Sequence, residues 1–127
     1  MEDAYDLVLI DCAPTESILT TAAYLASDFL LVPVKPEYLS AIGLPLLAQS
    51  MRECQESYGN RNLELAGVVF NATTDYSPEE MLAKNEVRQI AAQYSWRVFD
   101  NEVSYSRSYA KGARLGGHCS LIPSTSG

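Results

Sequence analysis

The sequence is poor in the residues that hold metals or disulfide frameworks. It has three cysteines, an odd number with wide spacing and no CxxC pair, and a single histidine. A protein built on disulfides or on a structural zinc ion needs more of these ligands than the chain supplies. The cysteine pattern is that of reduced thiols, and we therefore expect a cytoplasmic protein.

Long apolar runs and targeting signals are also lacking. Uninterrupted apolar segments such as Leu7–Ile10 and Phe29–Val34 have only a few residues, far short of the ~20 that span a bilayer. No basic segment followed by an apolar one opens the chain, so we expect no signal peptide. With 127 residues, 47% of them apolar, the chain has the composition of one globular domain that can bury a core of its own.

Positive charge is scarce and unevenly placed. The formal net charge is −7, which argues against a general nucleic-acid binder. Residues 1–102 hold all sixteen acidic residues and six of the nine basic ones, whereas residues 103–127 hold Arg107, Lys111 and Arg114 and no acid. An anion-binding surface is therefore expected in this last stretch. The alternative is a solvated helix face, because Arg107 and Arg114 lie about two helical turns apart.

Alternating strand-like and helix-like segments predict an α/β protein with a parallel sheet. Short apolar runs predict buried strands at 5–11, 29–34, 63–71 and 96–99. Helical spacing predicts helices at about 15–26, 41–58, 77–94 and 105–115. Ser77 and Glu80 form a capping box with a proline between them, a strong helix start. Pro45 fits the second predicted helix only if it lies in the first turn.

The ends of the predicted strands indicate a single site. Ligands of parallel sheets bind at the carboxyl ends of the strands. Asp11-Cys12, Val34-Lys35, Asn71 and the segment after Phe99 should therefore meet at one edge. An aspartate that closes an apolar strand, as Asp11 does, is typical of a Walker B element, whose carboxylate orients a magnesium ion beside nucleotide phosphates. The alternative is that Asp11 only caps the following helix.

Several longer runs resemble a known family. Residues 5–14 (YDLVLIDCAP), 26–38 (ASDFLLVPVKPEY) and 43–44 (GL) resemble the ParA/MinD family of deviant Walker ATPases, which partitions plasmids and chromosomes or positions cellular assemblies. Residues 65–71, 98–103 and 108–116 extend the resemblance over roughly residues 4–118. It implies a three-layer parallel sheet of the P-loop NTPase type.

The resemblance also implies a nucleotide site for ATP and magnesium. Asp11 would be the catalytic and magnesium-supporting carboxylate, acting through water. Pro14 and Thr15 would shape a switch-like loop that senses the γ-phosphate. Asn71 would lie against the adenine, with a turn cap as its alternative role. The residues of the loop around the base would be Glu102, Val103 and Ser104.

Partners follow from the same resemblance. Residues 36–38 would lie near a nucleotide-dependent interface, so that the protein forms a homo-oligomer. Arg107, Lys111 and Arg114 match a region where members of the family carry basic residues for nonspecific DNA contact. Such contact reads phosphates and falls steeply with salt. A ParB-like protein would stimulate hydrolysis.

The family's phosphate-binding loop, KGGxGKT, is missing from these 127 residues, and none of the seven glycines lies in a GKT or GKS context. The backbone N–H groups and lysine of that loop hold and neutralise the phosphates. We therefore expect residues 1–119 to be the C-terminal part of a ParA-like domain, followed by a loose tail at 120–127. ATP hydrolysis by this chain alone should be negligible.

Loss of the P-loop strand has a structural consequence. It should leave strand edges unpaired and favour association. Two other interpretations stay open: a non-catalytic binding or dimerisation module derived from the same fold, and an unrelated flavodoxin-like α/β protein.

Overall fold

The computed structural model describes residues 4–13, 15–59, 63–74 and 77–115. Pro14 and the expected tail at 120–127 lie outside the described residues, as does the expected boundary after residue 119. Within the described ranges the elements, in chain order, are α1 (Ile18–Ala26), β1 (Phe29–Val34), α2 (Tyr38–Tyr58), β2 (Glu64–Thr73), α3 (Pro78–Gln93), β3 (Val103–Ser104) and α4 (Ser108–Leu115).

The strands form a parallel sheet in the order β1-β2-β3, which confirms the predicted α/β class. β1 has the predicted bounds, and β2 runs two residues beyond the predicted end. The strand predicted at 96–99 is reduced to a parallel bridge between Val98 and Val68. β3 was not predicted, because a two-residue strand has no apolar periodicity to detect.

The core lies on one face of the sheet. The register places Val32 beside Val68 and Val34 beside Phe70, and partners in a parallel ladder point to the same side. Val68 and Phe70 are fully buried. Helices α2 and α3 cover this face with Ala41, Leu44 and Val87. Each large apolar side chain buried here contributes about 1.5–3 kcal/mol.

The segment predicted as the first buried strand behaves differently. Residues 7–10 form no strand, and their apolar side chains are exposed. An apolar strand is buried only when neighbouring strands pair with its backbone and helices cover its faces. None of the described strands pairs with it, so the prediction of a buried strand at 5–11 is wrong. β1 forms one edge of the described sheet, and its side chains alternate: Phe29 and Leu31 are exposed on the face opposite the one that buries Val34.

The helix starts follow their capping residues. The Ser17 side chain accepts a hydrogen bond from the Thr20 N–H at 3.3 Å, and Ser77 accepts one from the Glu80 N–H at 3.1 Å. α2 begins at Tyr38, so Pro45 lies beyond the first turn of the helix. The sequence had predicted that a proline here would fit only within the first turn. Its missing N–H removes one helical hydrogen bond. No helix in the described part of the chain is both long and apolar enough to cross a membrane.

Candidate functional site

The end of β2 and the segment that contains β3 meet at the carboxyl edge of the sheet. Asn71 pairs with Val103, and Thr73 pairs with Ser104. The Tyr105 N–H donates to the Thr73 carbonyl at 2.9 Å. We call Asn71, Thr73, Val103 and Ser104 the strand-end site. It brings together three of the residues that the sequence predicted around a nucleotide base.

The backbone at the end of β2 is bent. Ala72 has a φ of 55°, and the register with β3 shifts between Asn71 and Thr73. The Asn71 side-chain oxygen accepts a hydrogen bond from the Ala72 N–H at 2.9 Å, which is the turn-capping role kept as an alternative. An asparagine used in this way still has two amide N–H donors for a ligand.

Thr73 is the residue of this site that sequence reasoning missed. The residue is 2% exposed, and its hydroxyl has no hydrogen-bond partner among the described residues. A buried hydroxyl without a partner is unfavourable. The strand-end site therefore contains one enclosed hydroxyl without a partner, beside the exposed Asn71 amide.

A group of charged side chains connects this site to α3. We call Glu80, Lys84, Arg88 and Glu102 the charge cluster. Lys84 is 4% exposed, and its Nζ lies 2.8 Å from Glu102 Oε2 and 3.6 Å from Glu80 Oε1. Arg88 Nη2 lies 3.7 Å from Glu102 Oε1. Glu102, predicted to lie near the base, is thus bound through its carboxylate to α3.

The other carboxylate of the charge cluster holds the end of β2. Glu80 accepts hydrogen bonds from the Thr74 N–H at 3.0 Å and from the Thr74 hydroxyl at 2.6 Å. Lys84 and Arg88 also lie over the Phe70 ring, 5.9 and 5.2 Å from its centroid, a favourable cation–π placement. The i, i+4, i+8 spacing of Glu80, Lys84 and Arg88 places them on one helix face, the signal that could have revealed the three members on α3.

A cavity of about 500 Å³ opens beside the strand-end site, between the loop after β1 and the first half of α3. Its wall includes Lys35, Tyr38, Thr74, Leu82 and Glu86. A hydrogen bond to the Glu37 carboxylate raises the pKa of Lys35. Both side chains are exposed, so their ion pair adds little to stability.

Of the residues predicted at the phosphate end, Asp11 and Thr15 lie outside the described helices and strands. Asp11 is exposed in an irregular segment, and Thr15 lines a separate hollow between α1 and α2. Among the described residues, no group of three or more His, Cys, Asp or Glu side chains is arranged to hold a metal ion.

The three basic residues near the end of the chain share one helical face. The Lys111 N–H donates to the Arg107 carbonyl at 3.3 Å, which places Arg107 in the turn that begins α4. Arg107, Lys111 and Arg114 are all exposed. Their i, i+4, i+7 spacing aligns them on one side, as both the DNA-binding and the solvated-face interpretations require.

Comparison with known sequences identifies relatives. The family model described as "AAA domain" matches residues 1–65. The chromosome-partitioning ATPase Soj of Treponema pallidum is 33% identical over 100 residues, which are 79% of this chain and 38% of that protein. The Soj of Thermus thermophilus is 29% identical over a 126-residue alignment, which covers 96% of this chain and 49% of that protein. The chain thus spans less than half the length of these curated relatives.

A solved structure shows the same fold. The structure of apo McdA from Cyanthece matches with a TM-score of 0.64 and 20% identity, over 78% of this chain and 39% of that one. It agrees with the P-loop NTPase type of sheet that the sequence predicted. Together with the family match and the Soj relatives, it leads to one conclusion: the chain belongs to the ParA/MinD-like family of partitioning ATPases.

Proposed function

We propose that the chain is the C-terminal part of the nucleotide-binding domain of a ParA-like ATPase, and that its strand-end site receives the adenine end of ATP. One observation carries the proposal: Asn71 and Thr73 meet Val103 and Ser104 at the carboxyl edge of a parallel sheet, where α/β proteins bind ligands. Adenine presents both donors and acceptors, which the exposed Asn71 amide can match.

The phosphate end needs more than the described residues provide. In the proposal, Asp11, Pro14 and Thr15 act beside the phosphates and magnesium only when residues 5–15 lie in a complete sheet. The 127 residues contain no KGGxGKT loop, whose N–H groups and lysine would supply most of the electrostatic stabilisation. The chain alone should therefore bind ATP weakly, mainly through the base, and hydrolyse it negligibly.

A binding experiment tests the adenine site. The chain is titrated calorimetrically with ATP and magnesium, with adenosine and with tripolyphosphate. Adenosine should bind and tripolyphosphate should not, because the base supplies the contacts. Asn71→Ala should weaken adenosine binding about tenfold, the equivalent of 1.4 kcal/mol. Asn85→Ala is the matched control, because Asn85 is an exposed asparagine on α3. Equal effects of the two variants would contradict the proposal.

The intact protein would act in the cytoplasm as an ATP-dependent homodimer that binds DNA nonspecifically and is stimulated by a ParB-like partner. The exposed, aligned basic residues at α4 and the family membership support this proposal. Replacing Arg107, Lys111 and Arg114 together with glutamine should abolish a DNA gel shift at low salt. The wild-type shift should itself weaken steeply as salt rises. A shift that survives the triple substitution would place DNA binding elsewhere.

A non-catalytic dimerisation module is the second candidate. The exposed edge of β1 and the exposed apolar segment at 7–10 favour it, because unpaired strand edges recruit other chains. Light scattering coupled to size exclusion distinguishes the two: a dimer in the absence of ATP supports the module, and a monomer argues against it.

A further inference from the structure

We propose that Lys84 is a positioning residue, which holds the segment 102–104 in place through its ion pair with Glu102. The consequence for ligand binding rests on the proposed function, but the positioning itself does not. Nothing in the sequence pattern of the family resemblance assigns Lys84 a role. The inference comes from the placement of a buried cation between two segments of the candidate site.

The burial of Lys84 makes its partners obligatory. A lysine that is 4% exposed has lost nearly all of its hydration, so its ammonium needs negative partners within contact distance. It has Glu102 at 2.8 Å and Glu80 at 3.6 Å. Arg88 also approaches Glu102, but at 3.7 Å and with a side chain that is about half exposed. Lys84 is therefore the principal anchor of Glu102, and Arg88 is auxiliary.

The segment that Glu102 belongs to has few other attachments. β3 has only two residues, and both of its side chains are exposed. A two-residue ladder is too short to be stable without other contacts. Glu102 directly precedes β3, so the ion pair acts at the point where the segment enters the strand-end site.

The same cation connects both sides of the site. Glu80 accepts two hydrogen bonds from Thr74, the residue after β2, while Glu102 lies just before β3. Lys84 thus links Glu102, just before β3, to Glu80, its neighbour on α3 that holds the residue after β2. In this arrangement Glu102 is engaged with α3 and acts through the backbone of its own segment, which leaves direct base contacts to Val103 and Ser104.

Hydrogen exchange measured by mass spectrometry tests the positioning without any ligand. Glu102→Gln removes the anchor while Lys84 keeps Glu80 as a partner, so the fold should survive. Exchange in a peptide covering residues 103–105 should rise about tenfold or more, because local opening becomes easier, while peptides from β1 should be unchanged. Lys84→Met should produce the same local effect if it folds.

Val87→Ala is the matched control, since it removes fully buried packing on α3 without touching an ion pair. It should lower the thermal midpoint without selectively raising exchange at 103–105. Unchanged exchange in Glu102→Gln, or an equal rise in Val87→Ala, would overturn the proposal.

Adenosine titration of the same variants tests the consequence. A role in ligand positioning predicts that the wild-type chain binds adenosine and that Glu102→Gln binds it about tenfold more weakly. The thermal midpoint of Glu102→Gln should be no lower than that of Val87→Ala, so that the loss of affinity is not a loss of stability. Equal affinities of wild type and Glu102→Gln would overturn that role. If the wild type binds no adenosine, the proposed function fails, and the exchange result alone decides whether Lys84 positions the segment.

Discussion

Two apolar segments of similar character occupy opposite environments in this protein. Residues 7–10 and the middle of β2 are both short runs of Leu, Val, Ile or Phe. Val68 and Phe70 of β2 are fully buried, whereas Leu9 is 83% exposed. β2 has β1 on one side and β3 on the other, and residues 7–10 have no strand beside them in the described part of the chain. Apolar sequence favours burial, but neighbouring elements have to provide it.

The helices show the same contrast. α1, which follows the exposed segment, has Ala23 as its buried residue, and it exposes Ile18 and Leu19. α3 buries five residues, among them the charged Glu80 and Lys84. A charged residue is buried where a complete set of partners surrounds it, while an isoleucine stays exposed where nothing packs on it. Position in the fold thus outweighs side-chain type.

The largest expected effect contrasts the two apolar segments directly. Phe70→Ala should destabilise the chain by about 3–5 kcal/mol, because it empties a fully packed site. Leu9→Ala should change stability by less than about 0.5 kcal/mol, as exposed substitutions do. Urea unfolding followed by the fluorescence of Trp96 measures both. A large loss in Leu9→Ala would mean that residues 7–10 are packed in solution.

The second prediction contrasts two lysines. Lys84→Met should cost about 3–5 kcal/mol, because it removes the cation beside the buried Glu80 and leaves Glu102 with the more distant Arg88. Lys35→Met should leave the unfolding midpoint unchanged, since the Lys35–Glu37 pair is exposed. Adding Glu102→Gln to Lys84→Met should recover part of the loss. If the single and double variants are equally unstable, the charge cluster is not coupled as its distances indicate.

The third prediction contrasts two glycines. A Cβ on Gly67 would lie 2.5 Å from the Phe99 ring, so Gly67→Ala should destabilise by about 1–3 kcal/mol through overpacking. A Cβ on Gly43, inside α2, would meet nothing within 4 Å, and Gly43→Ala should stabilise by up to about 1 kcal/mol. Thermal unfolding of the two variants should therefore shift in opposite directions, and shifts of the same sign would refute the assignment.

Sequence reasoning succeeded where the signal was local. Ser77 caps its helix as predicted, and β1 has its predicted bounds, because capping and a six-residue apolar run depend on adjacent residues. Asn71 and Val103 meet as expected, because strand ends of a parallel sheet share one edge.

It failed where the outcome depends on distant partners. The strand at 5–11 needs neighbours that the described chain does not provide. The ion pair between Lys84 and Glu102 joins residues eighteen positions apart, which no helical spacing predicts. The buried Thr73 hydroxyl without a hydrogen-bond partner among the described residues is recognised only when the surrounding atoms are placed.

The smallest expected effect tests whether the exposed N-terminal region has any packing of its own. Burial raises the pKa of the Tyr24 hydroxyl in α1, and the nearby Cys12, Cys54 and Glu16 raise it further. A raised pKa means that the folded state favours the protonated phenol. Stability should therefore be constant below the ordinary tyrosine pKa of about 10 and fall above it, as the unfolded state loses its proton first. Tyr24→Phe should reduce this alkaline loss in urea unfolding between pH 9 and about 11, with Tyr58→Phe, an exposed tyrosine, as the control. Identical alkaline losses of stability in wild type and Tyr24→Phe would show that α1 does not shield the Tyr24 hydroxyl. The whole N-terminal part, and not only residues 7–10, would then lack the packing that surrounds β2.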